Sequence, residues 1–565
     1  MQNLRHSNEV CRVLAICLLV VPVIALAQGA DDAELARVKT LFQQQRWQEI
    51  IATARPGNSP EVAFYYGTAQ ARLGHWAEAA QAFNLGRRLA PQDPRFPVEL
   101  AGVAFKQKDY PEAENWLRKA TRLDPGDSYI KDFLATVFFL EGNVEAALKY
   151  WNAIDKPHIN RVTAEPAPRL DPVLFDRALA LSPASTLGLS DFLASGARLD
   201  QLHIFPASHF EIVAREDGTF DLAFRNFERN GCGGKWGCLL TVLGQSPGQT
   251  LNFDYYNLGR RAVNFSSLWR WDAEKRRIGA SVEFPFARQP KWHLRTAADL
   301  RNENWAMRSA FSGPAPLLAA LNLKREAGSL EFTDVVSGRW RWSAATEFSR
   351  RSFHKILPGT TVAGTSLPEF LIPGSQLKQS LGAQAALVSI PEHRLSIVGL
   401  GSVSVARLWS GKGHQFSSFQ GTSRSSWLPQ HSGDKFEIQH AFRAAKTFGS
   451  PPFDELHTLG VLGDTDLLIR AHIATRDGKK GSAPIGRNYF VSNLDATRNF
   501  SLLGVFKIKL GPFLDTGWTN NLLAQPEWLW DAGAQVRVQV LGFDLAASYG
   551  RDLRSGTNAF VVRVP

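Results

Sequence analysis

The stretch Gln535-Val536-Arg537-Val538-Gln539-Val540 alternates polar and apolar residues without a break. After Leu541-Gly542, Phe543, Leu545, Ala547 and Tyr549 continue the apolar set, opposite Asp544 and Ser548. A side-chain period of two belongs to extended strands, whose successive residues point to opposite faces. Upstream, the same two-faced pattern recurs. Phe506, Ile508 and Leu510 oppose Lys507 and Lys509, and Trp340, Trp342, Ala344 and Phe348 oppose Arg339, Arg341, Ser343 and Glu347. Ile278, Ala280, Val282 and Phe284 oppose Arg277, Ser281 and Glu283, and the last strand sets Phe560, Val562 and Val564 against Arg563. A soluble sheet also has one apolar face. Here the polar face is charged on nearly every strand, as a wet lumen requires, and Trp and Tyr stand near strand ends, where aromatic girdles sit. Lipid admits only helices or closed barrels, because every backbone amide must be paired. Residues 248–565 therefore read as a transmembrane antiparallel β-barrel, of about 16 strands at ~20 residues per strand and loop.

Composition agrees. The chain has 565 residues, too many for one ordinary domain, with 45 Gly, 16 Trp, 2 Met and 21% charged residues. Mean hydropathy is −0.18, which excludes a helical membrane protein, and no later stretch holds ~18 consecutive apolar residues. Formal net charge is +11, but basic residues alternate with apolar ones instead of forming the clustered patch a nucleic acid needs. No nucleic-acid partner is expected.

The chain begins with Arg5 and Arg12 ahead of an apolar run from Val13 to Ala27, ending Ala25-Leu26-Ala27 before Gln28. This is a cleavable signal peptide, residues 1–27. The run is short for a span, and Pro22 interrupts it. Cys11 and Cys17 leave with it. Cys232 and Cys238 remain and are disulfide candidates in an oxidising compartment. The cysteine spacing matches neither a zinc knuckle nor a Cys-x-x-Cys redox pair.

Three sequence columns recur at a 34-residue spacing: Trp76, Tyr110 and Val144; Ala79, Ala113 and Ala147; and Phe83, Leu117 and Trp151. Gly67, Ala101 and Ala135 form a fourth, and Pro91 and Pro125 repeat the interval. This is the tetratricopeptide period, in which small positions let paired helices approach and large ones fill the space between them. Trp47, Ile50 and Ala54 resemble an eroded first copy. Residues 33–156 are expected to form an α-solenoid of about four helical hairpins that binds a partner.

Pro157 to Pro168 reads as a Pro-rich linker. A helix is expected at about 188–202, then alternating Phe210–Arg215, an Asp217-Gly218 turn and Thr219–Phe227, which is a hairpin signal. Leu199-Asp200-Gln201-Leu202-His203-Ile204-Phe205 followed by this hairpin resembles a POTRA domain, placed at 168–228. POTRA domains precede barrels of the BamA/TamA/FhaC superfamily.

A second resemblance lies at 451–565. Pro451-Pro452-Phe453-Asp454-Glu455-Leu456-His457-Thr458-Leu459-Gly460 looks like the passage before that superfamily's lid-loop motif, which typically reads Val/Ile-Arg-Gly-Tyr/Phe. Ile469 and Arg470 match, while Ala471 and His472 depart. Gly511-Pro512-Phe513-Leu514-Asp515-Thr516-Gly517 and Asp531-Ala532-Gly533-Ala534-Gln535-Val536-Arg537 resemble its later strands. The resemblance implies that Arg470 projects into the lumen and pairs with Asp515 or Asp531.

No phosphate loop, nucleophile elbow or helical His-Glu-x-x-His is present, and the 13 His are scattered. No enzyme, metal or cofactor is expected. The fold expectation is an α + β multidomain chain: solenoid, POTRA-like unit, barrel. The resemblance implies an outer-membrane protein of a Gram-negative-type bacterium with periplasmic N-terminal domains. It would insert or translocate a protein client that pairs with the Phe220–Phe227 strand edge, with outer-membrane lipid around the barrel. Alternatives are a conduit for exopolysaccharide and a surface-lipoprotein export barrel.

Overall fold

The computed structural model describes residues 33–232, 249–273, 275–308, 317–357, 367–409, 413–430, 435–460, 467–476, 479–502, 506–520, 522, 526–540 and 543–563. The signal peptide, residues 1–27, and Cys238 lie outside the described residues. Cys232 is disulfide-bonded. Two compact units divide the chain, one ending at Ile154 and the other beginning at Asp155.

The first unit is helical: α1 (33–43), α2 (Trp47–Thr53), α3 (Pro60–Arg72), α4 (Trp76–Leu89), α5 (Arg95–Lys106), α6 (Tyr110–Leu123), α7 (Ser128–Leu140) and α8 (Val144–Trp151). They form four hairpins. Side-chain caps set several starts: Ser59 accepts from Val62 N, Asp109 from Glu112 N and Asn143 from Ala146 N. Phe83, Leu117, Ala79, Ala113 and Ala147 are fully buried, so the 34-residue columns are the core between helices. Gly67 has to be small, since a Cβ there would lie 2.7 Å from the Phe83 ring.

The second unit opens with a four-stranded sheet in the order β2-β1-β4-β3. Its elements are β1 (His158–Glu165), α9 (Pro172–Ala178), β2 (Ser185–Thr186), α10 (Leu189–Gln201), β3 (Ala207–Ala214) and β4 (Phe220–Phe227). Strand β1 runs parallel to β4, and β3 antiparallel to it. Leu174, Leu199, Leu202, Ile204, Phe205 and Phe224 pack beneath the sheet. Two expectations are corrected here. Residues 158–165 are a strand of this sheet instead of a linker, so the unit starts before 168. The prolines at 157 and 166 flank β1, where a residue without an N–H leaves the ladder intact. Strand β4 is also interior, hydrogen-bonded on both sides, so the Phe220–Phe227 edge is not open. Among the described residues the long open edge is β3.

The remaining strands, apart from β15 (His457–Thr458) and β18 (Ile485–Gly486), close into a barrel. They are β5 (Thr250–Leu258), β6 (Val263–Trp271), β7 (Lys275–Pro285), β8 (Trp292–Arg308), β9 (Leu317–Ser337), β10 (Trp340–Leu357), β11 (Gly374–Ile390), β12 (Leu395–Trp409), β13 (His414–Trp427) and β14 (Phe436–Gly449). Four two-residue strands follow, β15 (His457–Thr458), β16 (Thr475–Arg476), β17 (Lys479–Lys480) and β18 (Ile485–Gly486). Then come β19 (Tyr489–Leu502), β20 (Phe506–Thr519), β21 (Leu529–Val540), β22 (Phe543–Asp552) and β23 (Asn558–Arg563). Fifteen of these, among the described residues, are long wall strands. The alternation falls as the sequence implies. Val536, Leu545, Tyr549 and Phe560 are exposed on the outside, with Trp269, Trp271, Trp340, Trp409 and Trp427. Asp515 and Asp531 face in and are fully buried. No helix among the described residues is long and apolar enough to cross a membrane.

The small sheet unit is seated on the turns at one end of the barrel. Asp171 N donates to Arg260 O (2.7 Å), and Asn264 Nδ2 to Leu202 O (2.8 Å). His203 meets Glu283 at 2.8 Å, and Arg341 reaches Gln201 at 3.3 Å. Between the C-terminal end of α10 and the inner wall lies a polar cavity of about 650 Å³.

Candidate functional site in the barrel lumen

The loop joining β14 to β19, described at residues 450–460, 467–476 and 479–488, folds into the lumen and is fastened there at three places.

The first is the motif Ile469-Arg470. The Arg470 guanidinium grips Asp515 through two bonds, Nε to Oδ2 (2.8 Å) and Nη2 to Oδ1 (2.6 Å). Its Nη1 reaches Asp495 (2.7 Å) and Gln535 (2.9 Å), and its backbone N donates to Asp515 Oδ2 (3.0 Å). The cation also lies 3.6 Å from the Phe513 ring centroid. Forked, charge-assisted bonds of this kind fix orientation as well as position. Beside it, Ile469 is fully buried against Gly517, where a Cβ would come within 2.6 Å of Ile469 Cδ1. The Asp-x-Gly of β20 thus serves two ends: the Asp holds Arg470 and the Gly makes room for Ile469.

Asp531 does not pair with Arg470. Its Oδ2 accepts from Ala471 N (2.5 Å) and lies 3.2 Å from His472 Nδ1. Registry explains this. Asp515 and Asp531 are direct cross-strand partners on β20 and β21, so neighbouring loop residues meet neighbouring aspartates. Ala471 adopts no left-handed backbone, so the missing glycine does not prevent the loop from seating here.

The second fastening uses Phe453-Asp454-Glu455. Asp454 lies between two arginines of the wall, Arg325 Nε at 2.9 Å and Arg351 Nε at 2.8 Å. Glu455 takes Lys378 Nζ (2.7 Å) and Gln376 Nε2 (2.9 Å). Phe453 is buried beside Trp305, with ring centroids 4.8 Å apart. These partners stand on β8 to β11. Sequence reasoning missed all of them. Arg325 and Arg351 belong to no motif, and nothing local links them to a loop about a hundred residues later.

The third is a one-residue parallel bridge between β17 and β8, Lys480 opposite Trp305. Arg308 N donates to Gly481 O (3.3 Å), and Lys480 Nζ lies 3.5 Å from Glu303, which Lys275 also contacts at 2.9 Å. Within the loop, β15 and β18 pair with each other. The first and third fastenings grip opposite arcs of the ring, β20 to β21 on one side and β8 on the other, so the loop crosses the lumen.

Comparison with solved structures finds similar chains at low identity. BamA from Haemophilus ducreyi lacking POTRA domains 1–3 is 13% identical with a TM-score of 0.40, covering 72% of this chain and 84% of that one. CdiB from Escherichia coli is 13% identical with a TM-score of 0.45, covering 72% and 75%. CdiB from Acinetobacter baumannii is 13% identical with a TM-score of 0.41, covering 72% and 73%. No curated protein matches the chain. Residues 70–137, within the helical hairpins of the first unit, match the tetratricopeptide repeat family model.

Proposed function

We propose that this chain sits in the outer membrane and inserts or translocates a protein client, which its repeats and its POTRA-like sheet receive on the periplasmic side. The observation that carries the reading is the open edge of β3 on a sheet seated at the barrel mouth. An unpaired strand edge offers a row of backbone donors and acceptors to an extended client. The client's own folding or burial would supply the driving force, since that compartment holds no nucleotide. A photoreactive residue in place of exposed Val213 on β3 is expected to crosslink a client in cells, and one in place of buried Leu222 on interior β4 is not. Equal crosslinking from both would remove edge pairing from the mechanism.

The direct test is a quantitative proteome of outer membrane and medium with and without the gene. One or a few proteins are expected to leave the surface or medium and collect in the periplasm. An unchanged proteome with surface polysaccharide lost would favour the second reading, a conduit for exopolysaccharide. The polar vestibule, lined by Gln384, Ser402, Gln420 and Thr422 among others, is the observation on its side. A labelled-lipid pulse separates a lipidated client from an unmodified one.

A further inference from the structure

Four carboxylates meet the loop at Arg470 and His472: Asp495, Asp515, Asp531 and Asp552. Asp515, Asp531 and Asp552 stand directly opposite one another across β20, β21 and β22, all facing inward. Like charges placed so repel. Arg470 is fully engaged by Asp515, Asp495 and Gln535. Asp531 and Asp552, 0% and 6% exposed, are left to the imidazole of His472, itself 5% exposed. Among the described residues no cationic side chain other than His472 lies in ion-pair reach of them, and buried charge is stable only when paired or bound to metal.

The donor atoms around the ring are close enough together to share one ion. His472 Nδ1 lies 3.1 Å from Asp531 Oδ1, and Nε2 lies 3.7 Å from Asp552 Oδ2. One donor atom from each of the three residues falls within 4.8 Å of the other two. Asp531 Oδ1 is buried and accepts no hydrogen bond among the described residues. Asp552 is held from behind by Arg554 N (3.0 Å) and by Ser555 N (3.3 Å) and Oγ.

We propose that His472, Asp531 and Asp552 bind a divalent transition-metal ion, zinc by the chemistry of the donors, which clips the luminal loop to β21 and β22. One imidazole nitrogen and two carboxylates make a three-residue set of the kind that holds zinc at bonds of about 2.0–2.2 Å, with a fourth position open to water. A nitrogen donor disfavours magnesium and calcium. The site escapes sequence reading because its ligands come from a loop and two separate strands and share no local spacing. It exists because His472 stands where the lid-loop pattern has an aromatic residue, and it does not depend on which client the barrel carries.

The test uses the full-length, tag-free protein in detergent, stripped with chelator and titrated with zinc, with cobalt as a spectroscopic probe. One ion per chain is expected, with a visible cobalt band of tetrahedral type. Zinc should also raise the temperature at which the folded barrel loses its fast gel mobility. His472→Phe and Asp552→Asn should each weaken binding by more than the about 10–100-fold that loss of an outer-shell partner costs. The proposal is overturned if folded wild-type protein takes up no zinc at micromolar concentration, or if both variants bind it as tightly as wild type. The wild-type arm decides the matter even where a variant fails to fold.

Discussion

Arg470→Ala is expected to destabilise the barrel by about 3–5 kcal/mol, the usual cost of removing one partner from a buried ion pair. Asp515 is fully buried and receives three bonds from Arg470. Two of these vanish with the side chain, while Asp495 loses its own contact. The backbone bond survives only if the loop stays in place. Arg470→Lys should recover only part of the loss, because a single ammonium cannot make the fork to Asp515 and reach Asp495 at once. Asp515→Asn should be milder, since an amide is cheaper to leave unpaired than a charge. The measurement is the denaturant midpoint of the folded-to-unfolded gel shift for each variant and the double variant. Equal midpoints for Arg470→Ala and wild type would mean that the loop is not held from this side.

The second large effect is expected on the opposite wall. Asp454→Ala leaves Arg351, whose side chain is fully buried, and Arg325, which is 8% exposed, facing each other without the carboxylate between them. Arg325 keeps Glu347 (2.5 Å) and Arg351 keeps Gln376 (2.7 Å), so the wall itself survives. The loss should again be about 3–5 kcal/mol. In a planar bilayer, the variant should show larger and more frequent conductance steps than wild type, because the loop is then fixed from one side only. Combining Asp454→Ala with Arg470→Ala tests whether the two fastenings act through one body. A loop that spans the lumen gives a double variant departing from additivity by about 0.5–3 kcal/mol. Additive losses would mean two independent contacts.

How far these sites could be read from the chain depends on the range of the interaction. Alternation is local, so the two faces of β21 and β22 were legible from Gln535–Val540 and Phe543–Tyr549 alone. The 34-residue columns were legible because each repeat solves the same packing problem. Strand β1 was not. Its two flanking prolines look like linker chemistry, and its main partner, β4, lies about sixty residues on. Arg470 was legible through its motif, and Asp515 through a second one. Choosing between Asp515 and Asp531 needed the register of β20 against β21, which no single strand carries. Arg325, Arg351 and Lys378 were invisible as partners because a charge facing a lumen looks the same whether it meets water or Asp454.

The loop that crosses the lumen also bears on the mechanics of the wall. An unsupported hoop of hydrogen-bonded strands yields most easily by flattening into an oval, since this bends every joint slightly and breaks none. A strut fixed at opposite points of the hoop removes that soft mode along its own axis. It leaves the hoop free to widen at right angles, in the arcs around β12–β13 and around β5–β6, which none of the three fastenings touches. Stress from the surrounding bilayer would therefore be borne unequally around the circumference.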